Sequence, residues 1–142
     1  MDNIKNSKAY QYCKWCLEED NNYVGVYVKK QAKARLDIAD GNNDEAYIDE
    51  SVFKKVCGIL KLMKHPDLGC SIYEGMERYQ WFFVTATLCT YSTDGSKFYE
   101  TSLLEISRKN YKTFGSAIVF IVAMLLEPRF SRFFSVAPDY VQ

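Results

Sequence analysis

The chain has 142 residues, which is enough for one domain with a hydrophobic core. Apolar residues make up 48% of it, a composition typical of globular rather than disordered proteins. The 18 basic and 18 acidic residues balance, which argues against a protein that binds nucleic acid over its whole surface. A local basic patch is still allowed, because residues 108–132 carry five basic side chains against one acidic side chain.

Helices dominate the prediction for the first two thirds of the chain. Apolar residues at three- and four-residue spacing predict helices over residues 7–19, 24–39, 49–63 and 76–91. Asp49 is the expected N-cap of the third helix. Residues 40–44 are rich in Asp, Asn and Gly and predict a loop, and His65 is expected in an exposed turn between helices.

The five cysteines leave two interpretations open. Their odd number, with no secretory signal in view, favours reduced thiols in a cytosol. Cys13 and Cys16 have the spacing of half a zinc site or of a redox pair, although no second close pair follows. Alternatively, both are small apolar residues within the first helix.

The last third of the chain predicts a strand, a turn and a helix. The strand covers residues 98–106, the turn residues 107–111, and the helix residues 112–126, where Glu127 and Pro128 end it. Residues 133–137 predict a second buried strand. Strand, helix and strand in this order form a βαβ unit with parallel strands. The fold class is therefore expected to be α/β, with a helical region at residues 1–75 and the start of a parallel unit at residues 76–142.

The apolar run at residues 117–126 is too short to cross a bilayer, and we expect it to be a helix buried under a sheet. The polar N-terminus shows no secretory signal. We therefore expect no membrane association and a cytoplasmic location.

A lysine and a threonine open the predicted helix. Lys112 and Thr113 occupy the place where a phosphate-binding loop has its Lys-Ser/Thr pair. The unpaired N–H groups and partial positive charge of a helix N-terminus attract phosphate. The general pattern has glycine at the positions that Tyr111 and Ile106 occupy here. The alternative is an ordinary strand-to-helix turn with solvated basic residues.

The wider segment Ser-Arg-Lys-Asn-Tyr-Lys-Thr, residues 107–113, resembles the deviant Walker A motif of tailed-phage terminase large subunits, the DNA-packaging motors. That motif reads roughly small-Arg-Lys-Asn-Gly-Lys-Ser/Thr, so Tyr111 replaces its glycine. Upstream, Tyr79-Gln80-Trp81 resembles the family's adenine motif with altered residue order. Residues 22–26 and 46–50 resemble its N-terminal helical region, so the resemblance extends to about residue 137.

The resemblance implies roles for individual residues. Lys112 would contact the β- and γ-phosphates of ATP, Thr113 would ligate Mg²⁺, and Arg108 would stabilise the γ-phosphate. Gln80 would bind the adenine edge. Backbone N–H groups of residues 109–113 would cradle the phosphate oxygens. The whole loop consists of Ser107, Arg108, Lys109, Asn110, Tyr111, Lys112 and Thr113.

The resemblance also implies what an active motor needs. Hydrolysis requires an acidic residue at the end of a later strand, and no apolar run ending in Asp-Glu follows the loop helix. The family's nuclease carboxylates have no counterpart either. We therefore expect an N-terminal part of a large subunit whose βαβ unit is incomplete at the C-terminus, and whether it is an enzyme by itself is left open.

The remainder of the large subunit would be required, and in the family the partners are viral DNA, the small terminase subunit and the portal. A phage- or prophage-encoded protein of this kind would work in the bacterial host cytoplasm.

A second hypothesis needs no nucleotide. The chain could be a non-enzymatic helical interaction module that binds a protein partner or the DNA backbone through its basic end. A third is a small zinc or redox protein that uses Cys13 and Cys16.

Overall fold

The computed structural model describes residues 3–128 and 130–136. Within these residues the fold combines helices with one small sheet. A short 3-10 helix at Ile4–Asn6 opens the chain. The elements that follow are α1 (Lys8–Cys16), α2 (Val26–Asp40), β1 (Ala46–Ile48), α3 (Glu50–Leu62), α4 (Ile72–Gly75), α5 (Arg78–Cys89), β2 (Thr90–Ser92) and α6 (Lys112–Leu126).

Helix α5 lies at the centre of the packing. It contacts α1, α3 and α6, and its residues Trp81, Val84 and Leu88 are buried at i, i+3 and i+7. Helix α3 adds a second apolar stripe that includes Phe53 and Leu60. These side chains belong to one core that also takes in residues from the 3-10 helix, α1, α4 and α6. Burial of this common apolar surface is the main force that holds the helices together.

The sheet is a two-stranded antiparallel ribbon. Strand β1 pairs with β2 in the register Ala46 to Ser92, Tyr47 to Tyr91 and Ile48 to Thr90. The backbone N–H of Asp49 donates to the carbonyl of Cys89 at 2.9 Å and extends this pairing by one bond. The ribbon therefore ties the start of α3 to the end of α5.

The predicted helices are confirmed, and most bounds differ by one to three residues: α2 begins later and ends one residue later than predicted, at Asp40. Asp49 caps α3 as predicted: its carboxylate accepts hydrogen bonds from the N–H groups of Ser51 at 2.8 Å and Val52 at 3.0 Å. Helix α6 has the predicted bounds, Lys112 to Leu126. The helix predicted at residues 76–91 ends earlier, because Thr90 and Tyr91 pair with β1 instead of continuing the helix.

The two strands predicted around α6 are wrong. Residues 98–106 form no ladder, and only the N–H of Phe98 donates to a strand residue, the carbonyl of Thr90 at 3.2 Å. Residues 133–136 are also outside any strand, and Ala137 lies outside the described residues. Phe133 packs against Phe120 of α6 instead, with ring centroids 5.6 Å apart. The described residues therefore contain a mixed α and β fold but no parallel strand pair.

The burial predicted for α6 is also only partly right. Ile118 and Val122 are buried in the core, whereas Ile121, Met124 and Leu125 are 41%, 52% and 63% exposed. No sheet covers this outer face among the described residues, because the strands expected to form it do not pair. Within the same residues, no helix is long and apolar enough to cross a membrane.

The cap of α3 gives a direct test of the fold. Replacing Asp49 with Ala removes two hydrogen bonds to otherwise unpaired N–H groups, and we expect it to lower the free energy of unfolding by about 1 kcal/mol. Urea denaturation followed by circular dichroism measures the change. The exposed Asp44 serves as the matched control, since D44A should change the free energy by less than about 0.5 kcal/mol. Equal effects of the two variants would contradict the capping role.

Candidate functional site

The loop before α6 has an unusual backbone. Lys109 and Tyr111 have φ angles of 67° and 51°, in the left-handed region that residues other than glycine rarely adopt. Tyr111 is the residue immediately before the first turn of α6. It also occupies the position of the motif glycine, so the chain takes a glycine-like conformation there with a bulky residue.

Contacts of the Tyr111 ring show how this residue is accommodated. The ring lies edge-on to His65 and to Phe114, with centroids 6.1 and 6.0 Å away, and the residue is 49% exposed. His65 and Phe114 are themselves 4.9 Å apart. The side chain thus packs partly against the protein, and the resulting aromatic contacts help to offset the cost of the left-handed backbone.

His65 corrects a prediction. The sequence suggested an exposed turn, but the residue is only 6% exposed. Its Nδ1 accepts hydrogen bonds from the N–H groups of Asp67 and Leu68, both at 3.2 Å, so it organises the turn from inside. Because the imidazole is hydrogen-bonded within its own turn, it can be buried beside Phe114. The local sequence could not reveal this contact.

Two further hydrogen bonds hold the loop. The hydroxyl of Tyr79, in the first turn of α5, donates to the carbonyl of Asn110 at 2.8 Å. The Asn110 side-chain amide donates to the hydroxyl of Ser107 at 2.5 Å. The loop is therefore connected to the central helix, and the Asn110 and Ser107 side chains are engaged within the loop itself.

The charged residues of the loop lie at the surface. Arg108, Lys109, Lys112 and Thr113 are all exposed. The N-terminus of α6 has no side-chain cap, so the N–H groups of its first turn lack that partner. An exposed helix N-terminus with three nearby cations is an arrangement suited to an anion such as phosphate.

Gln80 lies in α5, one residue from Tyr79. It is 6% exposed, and its side-chain oxygen accepts a hydrogen bond from the N–H of Glu77 at 2.8 Å. This oxygen therefore takes part in capping the N-terminus of α5. Its predicted contact with an adenine edge stays a prediction.

A buried arginine was missed by the sequence analysis. Arg35 of α2 is 4% exposed, its guanidinium donates to the hydroxyl of Thr90, and Tyr99 lies nearby. Burial lowers its pKa, and the nearby Tyr99 acts in the opposite direction. Arg35 thus fixes the beginning of the segment that leads to the loop. One signal for its burial was present in the sequence, since Arg35 follows Ala32 by three residues on the same helix face. That signal was weak, because charged side chains at such positions usually extend to solvent.

An aromatic groove lies beside the loop and was also missed. It has a volume of about 360 Å³ and runs between α2, α5 and the segment before the loop, ending at Ile106. Its ring-bearing residues are Tyr12, Tyr27, Tyr79, Phe82 and Phe83. They come from parts of the chain up to 71 positions apart (83 minus 12), so only tertiary structure brings them together.

Four of the five cysteines are buried in the interior, and Cys70 is partly exposed. Cys13 and Cys16 are buried on α1, and Cys89 is buried at the end of α5. Burial raises the pKa of Cys13 to about 12 and that of Cys89 to about 12. Among the described residues, no group of three or more His, Cys, Asp or Glu side chains is placed to hold a metal ion.

Comparisons with protein-family models, with curated proteins and with solved structures find no match to this chain.

The thiol environment predicts an order of chemical reactivity. Because burial raises the pKa of the Cys13 thiol to about 12, very few molecules carry the reactive thiolate at pH 8. Partly exposed Cys70 should react first with iodoacetamide in the native protein, at least ~10-fold faster than Cys13. Peptide mass spectrometry after timed alkylation measures both rates, and C70S should remove the fast phase. Rapid labelling of Cys13 would contradict its buried environment and would favour the hypothesis of a redox pair at Cys13 and Cys16.

Proposed function

We propose that the chain binds Mg-ATP at the loop of residues 107–113 and serves as the ATP-binding part of a phage terminase large subunit. The observation that carries this proposal is the left-handed backbone of Tyr111, because the family's motif has glycine at that position. A residue with a Cβ in this conformation costs about 1–2 kcal/mol. Tyr111 holds a conformation that glycine adopts more easily, and this supports the proposal.

The loop residues fit a triphosphate in charge and exposure. Exposed Lys112 would contact the terminal phosphates, and the exposed hydroxyl of Thr113 is a suitable oxygen ligand for Mg²⁺. Arg108 would stabilise the γ-phosphate. The N–H groups at the uncapped start of α6 would complete the cradle. The ring of Tyr111 is the one element that a glycine loop lacks, and its contacts with His65 and Phe114 keep it partly against the protein.

The nucleobase has two candidate positions. One is the edge of Gln80, as the resemblance implies. The other is the aromatic groove, which begins directly before the loop at Ile106 and includes Tyr79, the residue bonded to Asn110. Aromatic faces suit a flat purine, and the groove volume lies within the range of small-molecule sites.

The proposal concerns nucleotide binding. Hydrolysis also needs a carboxylate that orients the attacking water, and the sequence after α6 offers no apolar run ending in Asp-Glu. We further propose that the loop and α6 correspond to the phosphate loop and the first helix of a P-loop unit. Viral DNA, the small terminase subunit and the portal are the proposed partners, and the host cytoplasm is the proposed location.

Lys112 gives the first test. We expect the folded chain to bind a non-hydrolysable Mg-ATP analogue in isothermal calorimetry, and K112A to weaken binding at least ~10-fold, because it removes charge-assisted contacts to phosphate. K55A is the matched control, since Lys55 is an exposed lysine of α3 and its loss should leave affinity unchanged. Circular dichroism confirms that each variant is folded.

A well-folded chain that binds no nucleotide would contradict the proposal. Equal loss of affinity in K112A and K55A would contradict the specific role of the loop, because it would indicate attraction by net charge alone.

Tyr111 gives the second test. Replacing it with Gly restores the residue of the motif, removes the ring and relieves a left-handed strain of about 1–2 kcal/mol. If the strained turn is the binding conformation, we expect Y111G to bind the analogue up to about tenfold more tightly. The same calorimetric titration measures this. Unchanged or weaker binding would show that the aromatic contacts with His65 and Phe114 hold the loop in its binding form.

An interaction module is the second candidate, and one observation favours it. The described chain exposes Leu103 by 85% together with the outer face of α6, which is more apolar surface than a phosphate site requires. This candidate predicts no response to nucleotide. The K112A titration therefore separates the two functions.

A further inference from the structure

Gln80 leaves little room for a nucleobase at the position that the resemblance implies. The residue is 6% exposed, and its side-chain oxygen already accepts a hydrogen bond from the N–H of Glu77 at 2.8 Å. An adenine edge at Gln80 would have to compete with this cap for the oxygen, and a buried polar group that loses its partner weakens a complex. The base of the proposed ATP therefore fits better on another surface.

The aromatic groove borders the loop at two points. Ile106, which lines the groove, directly precedes Ser107, the first residue of the loop. Tyr79 also lines the groove, and its hydroxyl donates to the carbonyl of Asn110 at 2.8 Å. The groove and the loop are therefore separated by no more than one tyrosine side chain.

Charge is distributed unevenly between the loop and the groove. The loop exposes the cations Arg108, Lys109 and Lys112. Among the described residues no lysine or arginine lines the groove, and the one charged residue that lines it is Glu105. Phosphates are therefore attracted to the loop, whereas the groove suits the uncharged end of the same molecule.

The shape of the groove suits a flat heteroaromatic ring. The rings of Tyr12 and Phe82 meet edge-on with centroids 5.6 Å apart, and the groove volume of about 360 Å³ is in the range of small-molecule sites. Aromatic side chains are the usual stacking surfaces for nucleobases. The amide of Gln31 and the carboxylate of Glu105 also line the groove, and both can bond to the polar edge of a base.

We propose that the aromatic groove, rather than the edge of Gln80, holds the adenine of ATP. The inference rests on the proposed function, because it takes the phosphates to lie at residues 107–113. Tyr79 is then a positioning residue: its ring belongs to the base surface, and its hydroxyl fixes the loop backbone at Asn110. The left-handed residues Lys109 and Tyr111 flank that bond, so its loss should disturb the loop that receives the phosphates.

Two ligands separate the base from the phosphates. Isothermal calorimetry on the full chain measures the Kd of a non-hydrolysable Mg-ATP analogue and the Kd of magnesium tripolyphosphate, which carries the phosphates without the nucleoside. The ratio of the two Kd values gives the contribution of the nucleoside. We expect the chain to bind the analogue at least about tenfold more tightly than tripolyphosphate.

Groove variants should change only the nucleoside contribution. F83A removes a partly exposed ring of the groove and should raise the Kd of the analogue about tenfold without changing that of tripolyphosphate. Y27A should act in the same direction. Y23A is its matched control, since Tyr23 is 94% exposed and does not line the groove, and both Kd values should stay unchanged.

Two conservative variants test the neighbours of the groove. Y79F keeps the ring and removes the hydroxyl, so both Kd values should rise about fivefold while their ratio stays unchanged. Q80E keeps an oxygen that can cap α5 and removes the side-chain amide, so we expect neither Kd to change. Circular dichroism confirms native folding of each variant.

Three outcomes would overturn the groove assignment and leave the phosphate loop standing: an analogue that binds no better than tripolyphosphate, an F83A variant with an unchanged ratio, or a ratio that is lost in Q80E. A folded chain that binds neither ligand would overturn the proposed function itself, and the groove assignment with it.

Discussion

The burial of α5 is the constraint on which the rest of the structure depends. Trp81, Val84 and Leu88 contribute to the common core, and α1, α3 and α6 all pack against this helix. Close packing of this kind makes the positions of the outer helices mutually dependent. The end of α5 leads directly into β2, and its first turn holds Tyr79, so both the ribbon and the loop take their positions from it.

The loop before α6 combines strain with anchoring. Two residues with side chains adopt positive φ angles, and a bond from Tyr79 to Asn110 together with the His65–Tyr111–Phe114 contacts keeps them there. Strained backbone persists where surrounding contacts hold it, and such places are often functional. The cations Arg108, Lys109 and Lys112 remain in solvent, where an anion has access to them. The proposed nucleotide site therefore combines a loop backbone held by contacts with cationic side chains that are exposed to solvent.

Residues 99–107 and α6 share one property: each exposes apolar side chains that no sheet covers among the described residues. Leu103 and Leu125 are exposed by 85% and 63%, although their neighbours Leu104 and Val122 pack inward. A helix that is apolar on nearly all sides is normally covered, and an open strand edge normally pairs. The exposed apolar surface of this segment and of α6 therefore supports the interaction candidate.

The sequence by itself determined the helices, because their signals are local. Apolar spacing predicted α3 and α5, Asp49 predicted the start of α3, and the Lys112-Thr113 pair with Pro128 predicted the bounds of α6. It also predicted the turn directly before α6, since the residues that signal it are contiguous. Tertiary structure decided the rest. Strand pairing at residues 98–106 and 133–136 failed because a strand needs a neighbour, which no local pattern guarantees. The burial of His65 and Arg35, the aromatic groove and the anchoring of Tyr111 all depend on residues far apart in the chain, so only the folded arrangement could show them.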